Sequence, residues 1–142
     1  MPDTTLLGLC LNAFLAATLL PIPSELWFSA VLMEQTQSPF LPWMSVTVGN
    51  VAGSVVNWLL GRFAIGFQNR PWFPIAPDTL DTARQRLARH GPWWLLLAWV
   101  PVIGDPLTFA AGILRVPFFP FLSLVAIGKG GRYLAIILLL SR

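Results

Sequence analysis

Charge is what this sequence has least of. Asp, Glu, Lys and Arg make up 11% of its 142 residues, against roughly 25% in an ordinary globular domain. Hydrophobic residues make up 56%, and the mean hydropathy is +0.69. That balance excludes a water-soluble domain of usual make-up and predicts an integral membrane protein. Cysteine is nearly absent: Cys10 alone excludes an internal disulfide and reads as a small apolar helix residue. The one histidine, His90, stands in a polar stretch and reads as a helix-terminus cation or a solvated residue. These counts leave no metal-ligand cluster and no nucleophile–base pair, so no catalytic or metal residue is expected. A net charge of +3, scattered along the chain, is too small for a nucleic-acid surface and fits loop charges that set membrane orientation. Glycine loops of the nucleotide-cradling kind are missing, and no cofactor is implied. No basic stretch precedes Leu6 and no small-residue cleavage site follows the first apolar run, which predicts no cleaved signal peptide.

What is present is a set of long apolar segments broken at defined places. The length predicts one membrane domain, residues 1–142: a first half over about 6–67, a polar linker over 68–92 and a second half over about 93–140. Seven Trp and ten Phe against one Tyr supply interfacial anchors. The run Leu6–Met33 would make a straight helix of roughly 42 Å, more than a hydrocarbon core of about 30 Å needs. It is interrupted at Pro21-Ile22-Pro23-Ser24-Glu25, where Ser24 fits a helix start with Glu25 in the first turn. The second segment, about Trp43–Phe67, carries Gly49-Asn50, Gly53-Ser54, Asn57 and Gly61-Arg62. Gly49, Gly53 and Asn57 recur every four residues and share a helix face, either a plain packing seam or a seam that is also polar.

Between the halves, Pro77-Asp78 with Asp81 reads as a helix start, and Gly91-Pro92 as a stop. Leu80, Ala83 and Leu87 make one apolar stripe, which predicts an amphipathic helix lying on the membrane surface. Arg70, Arg84, Arg86 and Arg89 concentrate in this loop and place it on the cytoplasmic side.

The third segment, Trp93–Leu114, is broken at Pro101-Val102-Ile103-Gly104-Asp105-Pro106 and ends at Arg115-Val116-Pro117. Proline removes a donor and clashes with the preceding turn. A carboxylate at membrane depth costs roughly 3 kcal/mol on insertion scales. Both penalties in one stretch point to the floor of a polar site. The fourth segment, about Phe118–Leu140, carries Gly128-Lys129-Gly130-Gly131-Arg132-Tyr133 near its middle. Two cations there must face the protein interior, pair with Glu25 or Asp105, or bind an anion.

The halves match. Pro21 and Glu25 correspond to Pro101 and Asp105 at an offset of 80, while Gly49, Asn50 and Gly53 correspond to Gly128, Lys129 and Arg132 at 79. Each half is thus a proline-broken hairpin bearing a carboxylate, followed by a glycine-marked helix. The predicted fold class is an all-α integral membrane protein of two such repeats. If the broken segments re-enter, each repeat crosses once and the repeats are inverted, the architecture of secondary transporters. If they span, there are four crossings and the repeats are parallel.

These residues carry a family resemblance. Ala17-Thr18-Leu19-Leu20-Pro21 with Ser24-Glu25, Gly49-Asn50 with Gly53 and Gly61-Arg62, Pro101 to Asp105 with Ala111-Gly112, and Gly128-Lys129 with Arg132-Tyr133 resemble the DedA superfamily. Its domain is also called VTT or SNARE-associated, and the nearest match is its short YqaA-like branch of bacterial inner-membrane proteins. The resemblance runs from about Phe14 to Tyr133. It implies two re-entrant hairpins meeting from opposite sides, and lipid translocation linked to undecaprenyl phosphate recycling, phospholipid movement and proton-dependent membrane homeostasis. Glu25 falls where the family's first hairpin carries its functional acid. Longer members have an arginine three residues after the second hairpin's proline; here that position is Gly104, followed by Asp105. The flanking helices of longer members are missing as well, which implies assembly as a homo-oligomer.

The expected function is therefore a transporter or scramblase for a lipid with an anionic headgroup, undecaprenyl phosphate or a phospholipid, in the bacterial inner membrane. Lys129 and Arg132 would hold the phosphate. Glu25 and Asp105 would bind the protons that drive or gate the cycle, and Asn50 and Asn57 would line the path. Arg62 and Arg115 are secondary candidates, and Pro21, Pro23, Pro101, Gly104 and Pro106 mark the hairpin breaks. The alternatives are a proton-coupled transporter of a small solute and a non-transporting assembly or homeostasis factor whose charges only pair helices. An intramembrane phosphatase is disfavoured by the lack of a nucleophile–base pair.

Overall fold

The computed structural model describes residues 3–17, 24–34, 38–63, 76–100 and 104–141, all helix or connecting turn and without strand among them. The helices are α1 (Asp3–Ala17), α2 (Ser24–Glu34), α3 (Phe40–Phe63), α4 (Pro77–His90), a 3-10 helix (Pro92–Trp99), α5 (Gly104–Ile113) and α6 (Phe118–Leu140). The expected breaks at Pro21, Pro23 and Pro101 lie outside the described residues, as do Arg70 and the side chain of Glu25, whose backbone opens α2. Among the described residues α6 alone is both long and apolar enough to cross a bilayer. It exposes Phe119, Ile127, Leu138 and Leu139, an exterior suited to lipid. α3 is as long, at 24 residues, but Asn50, Asn57 and Arg62 lower its hydropathy. It begins at Phe40, ahead of the expected Trp43. The Phe40 N–H is accepted by the Ser38 hydroxyl, and Pro42 sits in the first turn, where a missing donor costs nothing.

The chain divides into two compact units, residues 1–53 with 129–142, and residues 54–128, so that α3 and α6 each contribute to both. In the first unit Leu9 and Ala13 of α1, Phe28 and Val31 of α2, Val46 of α3 and Tyr133 of α6 form one buried cluster. Phe28 meets Tyr133 edge to face, with ring centroids 5.3 Å apart and an interplanar angle of 81°. The glycine face of α3 lies along α1: a methyl group at Gly49 would strike the Cys10 carbonyl, and one at Gly53 would strike Ala17 and the Phe14 carbonyl. The glycines therefore make a packing seam, and Asn50 next to them brings in the polar group.

In the second unit α4 forms where the stripe predicts, and Leu80, Ala83 and Leu87 are buried. Their cover is protein: α4 packs on α5 and the 3-10 helix. The expectation that this stripe rests on lipid is corrected, because an apolar face already enclosed by two helices has no area left for acyl chains. The helix start is corrected too. Ala76 is the N-cap, Pro77 is the first helical residue, no side chain caps the end, and Asp81 pairs with Arg84 at 3.9 Å. Gly91 ends α4 as expected, at φ 81°, a conformation that costs glycine nothing.

The next eight residues wind as a 3-10 helix up to Val100, which is extended. α5 then starts at Gly104, so Gly104, Asp105 and Pro106 form its first turn and are not the break itself. Proline is accommodated there because a first-turn N–H has no intrahelical acceptor. Gly104 passes so close to the Ala98 carbonyl that a side chain would collide. α5 ends in a Schellman motif: the Val116 N–H bonds the Ala111 carbonyl at 2.9 Å and the Arg115 N–H bonds the Gly112 carbonyl at 3.1 Å. Arg115 takes the left-handed position, at φ 57°.

Candidate functional site

Lys129 stands at the midpoint of the 23-residue α6 and is 3% exposed. Its ammonium donates to the Asn50 side-chain oxygen at 2.5 Å. The Asn50 amide, itself 4% exposed, donates to the Ala13 carbonyl at 3.2 Å and to the Tyr133 hydroxyl at 3.0 Å. The helical periods explain the convergence. Lys129 and Tyr133 are four residues apart on one face of α6, while Trp43, Thr47 and Asn50 share a face of α3. Trp43 closes the same helix pair by donating its indole N–H to the Gly130 carbonyl at 2.9 Å. Arg132 is half-buried, with its guanidinium 5.9 Å from the centre of the Tyr133 ring, within cation–π range. The arrangement gives a buried cation at the middle of an apolar helix a hydrogen-bonding partner on α3, chemistry suited to holding an anion or to fixing helices.

The second unit carries another buried polar cluster. Asn57 donates to the Thr108 hydroxyl at 3.2 Å, and Thr108 donates to the Asp105 carbonyl at 2.7 Å. Ser54, Asn57 and Thr108 are all fully buried, and Asp105 is half-buried. The matched positions of the first unit are filled differently. Phe28 stands where Thr108 does at an offset of 80, and Tyr133 where Ser54 does at 79. The first unit places Phe28 and Tyr133 where the second places Thr108 and Ser54.

Of the residues expected to form one site, Asn50 and Lys129 bond directly, with Arg132 beside their partner Tyr133. Asn57 and Asp105 belong to the second cluster. Arg62 spreads over the Trp58 ring at 5.3 Å and the Phe63 ring at 5.9 Å, and Arg115 is exposed at the end of α5. Two members were missed. Tyr133 is the only tyrosine in the chain and lies one turn past Lys129, which could have marked it. Thr108 lies one turn past Asp105 but is set in an apolar run that gives no such signal.

A polar network sealed inside long apolar helices is the interior of a helical membrane protein. The VTT domain model matches residues 22–142, and the chain belongs to that family, the DedA family. It is 35% identical over 134 residues to inner membrane protein YqaA of Escherichia coli, covering 93% of this chain and 88% of that protein. The YqaA of Shigella flexneri matches equally. An uncharacterized protein of Haemophilus influenzae is 33% identical over 139 residues, covering 91% of this chain and 83% of the relative. No solved structure matches the chain.

Proposed function

We propose that this chain is a non-enzymatic translocator of a lipid with an anionic headgroup, a polyprenyl phosphate or a phospholipid, in the bacterial inner membrane. The observation that carries the reading is the buried Lys129 ammonium at the centre of α6, the one described helix both long and apolar enough to cross a bilayer. A cation there costs roughly 3 kcal/mol on insertion scales, and an anionic headgroup passing through the membrane would use it. Arg132 serves as a second phosphate donor, and Glu25 and Asp105 as proton carriers. The name of the Escherichia coli relative supports the inner membrane as location. Membership of the VTT family supports transport or membrane homeostasis.

Re-entrant, inverted hairpins are part of this reading. At 15 and 11 residues, α1 and α2 measure roughly 22 and 16 Å, each short of a hydrocarbon core of about 30 Å. α2 and α5 start 80 residues apart, and Val46 with Val125, Asn50 with Lys129, and Ser54 with Tyr133 are buried at matched positions. Asn50 and Lys129 also touch each other, as equivalent residues on a pseudo-two-fold axis do. The 68–92 loop is then cytoplasmic, and assembly as a homo-oligomer is part of the same reading.

The test is transfer of a fluorescent anionic lipid between leaflets of proteoliposomes. Lys129→Gln should abolish transfer while the purified variant keeps its helical circular dichroism and elution position. Unchanged transfer by that variant removes the reading. A second reading, a non-transporting assembly factor, is favoured by how fully Asn50, Lys129 and Tyr133 engage one another; it expects no lipid transfer by the wild-type protein.

A further inference from the structure

The second unit holds a cleft of about 480 Å³ between α4 and the packed pair of the 3-10 helix and α5. Its two sides differ in chemistry. α4 contributes Thr79, Thr82 and Arg86, which follow one another at helical spacing, and the packed pair contributes Trp94, Pro106 and Leu107. Arg86 is exposed, whereas Pro106 and Leu107 are buried, so the cleft runs from a cationic, hydroxyl-bearing rim to an apolar floor. Its volume is within the range of small-molecule sites, about 300–1,000 Å³. Trp94 is held in place by His90, whose ring stacks on it at 4.8 Å and 15°. The arginine of the preceding turn, Arg84, is directed to Asp81.

We propose that this cleft binds a phosphate-bearing amphiphile: Arg86 and the Thr79 hydroxyl take the phosphate, beside a Thr82 hydroxyl already donated to the Asp78 carbonyl, and Trp94, Pro106 and Leu107 take the first carbons of its chain. The occupant is a membrane lipid, because the cleft lies where the polar α4 gives way to the 3-10 helix. That helix exposes Trp93 at 70% and Trp99 at 42%, and tryptophan marks the headgroup level of a bilayer. Guanidinium and hydroxyl donors on one helix face are what phosphate oxygens require, and arginine supplies two parallel N–H bonds. Zwitterionic lipids present the same phosphate beside a cation that Arg86 repels. The site therefore selects phosphomonoester headgroups over choline ones, and it is separate from the Lys129 network.

The inference rests on the lipid-translocation reading, to which it adds a place where the headgroup docks at the surface. Native mass spectrometry of the full chain, released from neutral detergent with dioleoyl phosphatidic acid or dioleoyl phosphatidylcholine, tests it. The wild type should retain phosphatidic acid preferentially. Arg86→Gln should weaken that retention about tenfold, the change carried by one charge-assisted contact. Arg84→Gln and Arg89→Gln should leave it unchanged; none of the three arginines is buried, so folding is not at stake. Equal retention by Arg86→Gln and wild type overturns the site. Displacement by millimolar inorganic phosphate, with no dependence on Trp94→Ala, overturns the lipid occupant in favour of a free anion. Lipid transfer in vesicles separates the two ideas. Transfer by wild type with Arg86-independent retention defeats the cleft and keeps the translocator; Arg86-dependent retention without any transfer keeps the cleft and defeats the translocator.

Discussion

Lys129 and Asn50 occupy matched positions in the two halves of the chain, 79 residues apart, and their side chains bond to each other at 2.5 Å. The asparagine oxygen accepts a hydrogen bond from a buried ammonium. Because its amide also reaches Ala13 and Tyr133, one side chain ties α1, α3 and α6 together. Asn50→Leu removes all three bonds and should lower unfolding stability in detergent by about 3 kcal/mol. Asn50→Asp keeps an acceptor for the ammonium and should lose less. Equal losses would show that the contact to Lys129 contributes little.

The α1–α3 seam predicts a contrast between glycines. Gly49→Ala must push the Cys10 backbone away and should destabilise by about 1–3 kcal/mol, as overpacking does. Gly131→Ala meets open space in a helix interior and should stabilise by roughly 0.5–1 kcal/mol. Thermal unfolding of the two purified variants in one detergent checks both signs.

Arg115 holds a left-handed conformation that a side chain pays for by about 1–2 kcal/mol. Arg115→Gly should therefore match or exceed wild-type stability, while Arg115→Val, β-branched at a positive φ, should fall below it. A stability loss in the glycine variant larger than in the valine variant would assign Arg115 a contact role in place of a turn role.

Thr108 is fully buried, and its hydroxyl links Asn57 to the Asp105 carbonyl. Thr108→Val preserves shape and removes that link, so a cost of about 1–3 kcal/mol is expected. Ser123 makes a similar bond to the Phe119 carbonyl but is exposed; Ser123→Ala should stay within about 0.5 kcal/mol. Comparable effects at both sites would mean that water reaches Thr108.

If the broken segments re-enter, as proposed, both chain ends lie on the face opposite the 68–92 loop. Single cysteines introduced at the ends and in that loop, with Cys10 replaced, should label from opposite sides of intact cells. Labelling from one side would mean four full crossings and would remove the inverted architecture.

Much of this fold was legible because local rules dominate it. The boundaries of α6, the presence of α4 with its stop at Gly91 and the separation of segments three and four by Arg115-Val116-Pro117 follow from punctuation by proline and glycine and from apolar length. These act within a few residues.

The reach of side chains was not legible. Asn50 and Lys129 stood out as polar residues in apolar helices, but that they bond each other, with Tyr133 as third member, depends on how α3 and α6 are rotated about their axes. Packing at the Gly49 seam and the Phe28–Tyr133 contact fixes those rotations. Likewise the stripe Leu80, Ala83 and Leu87 announces that one face of α4 is covered, and is silent on whether lipid or protein covers it. By itself, then, the sequence determined the class of the protein and the helical make-up of its apolar stretches, because hydropathy and backbone restriction are properties of short stretches. Only the tertiary structure decided which polar groups share a network and what closes over each apolar face, because those outcomes depend on close contacts between residues far apart in the chain.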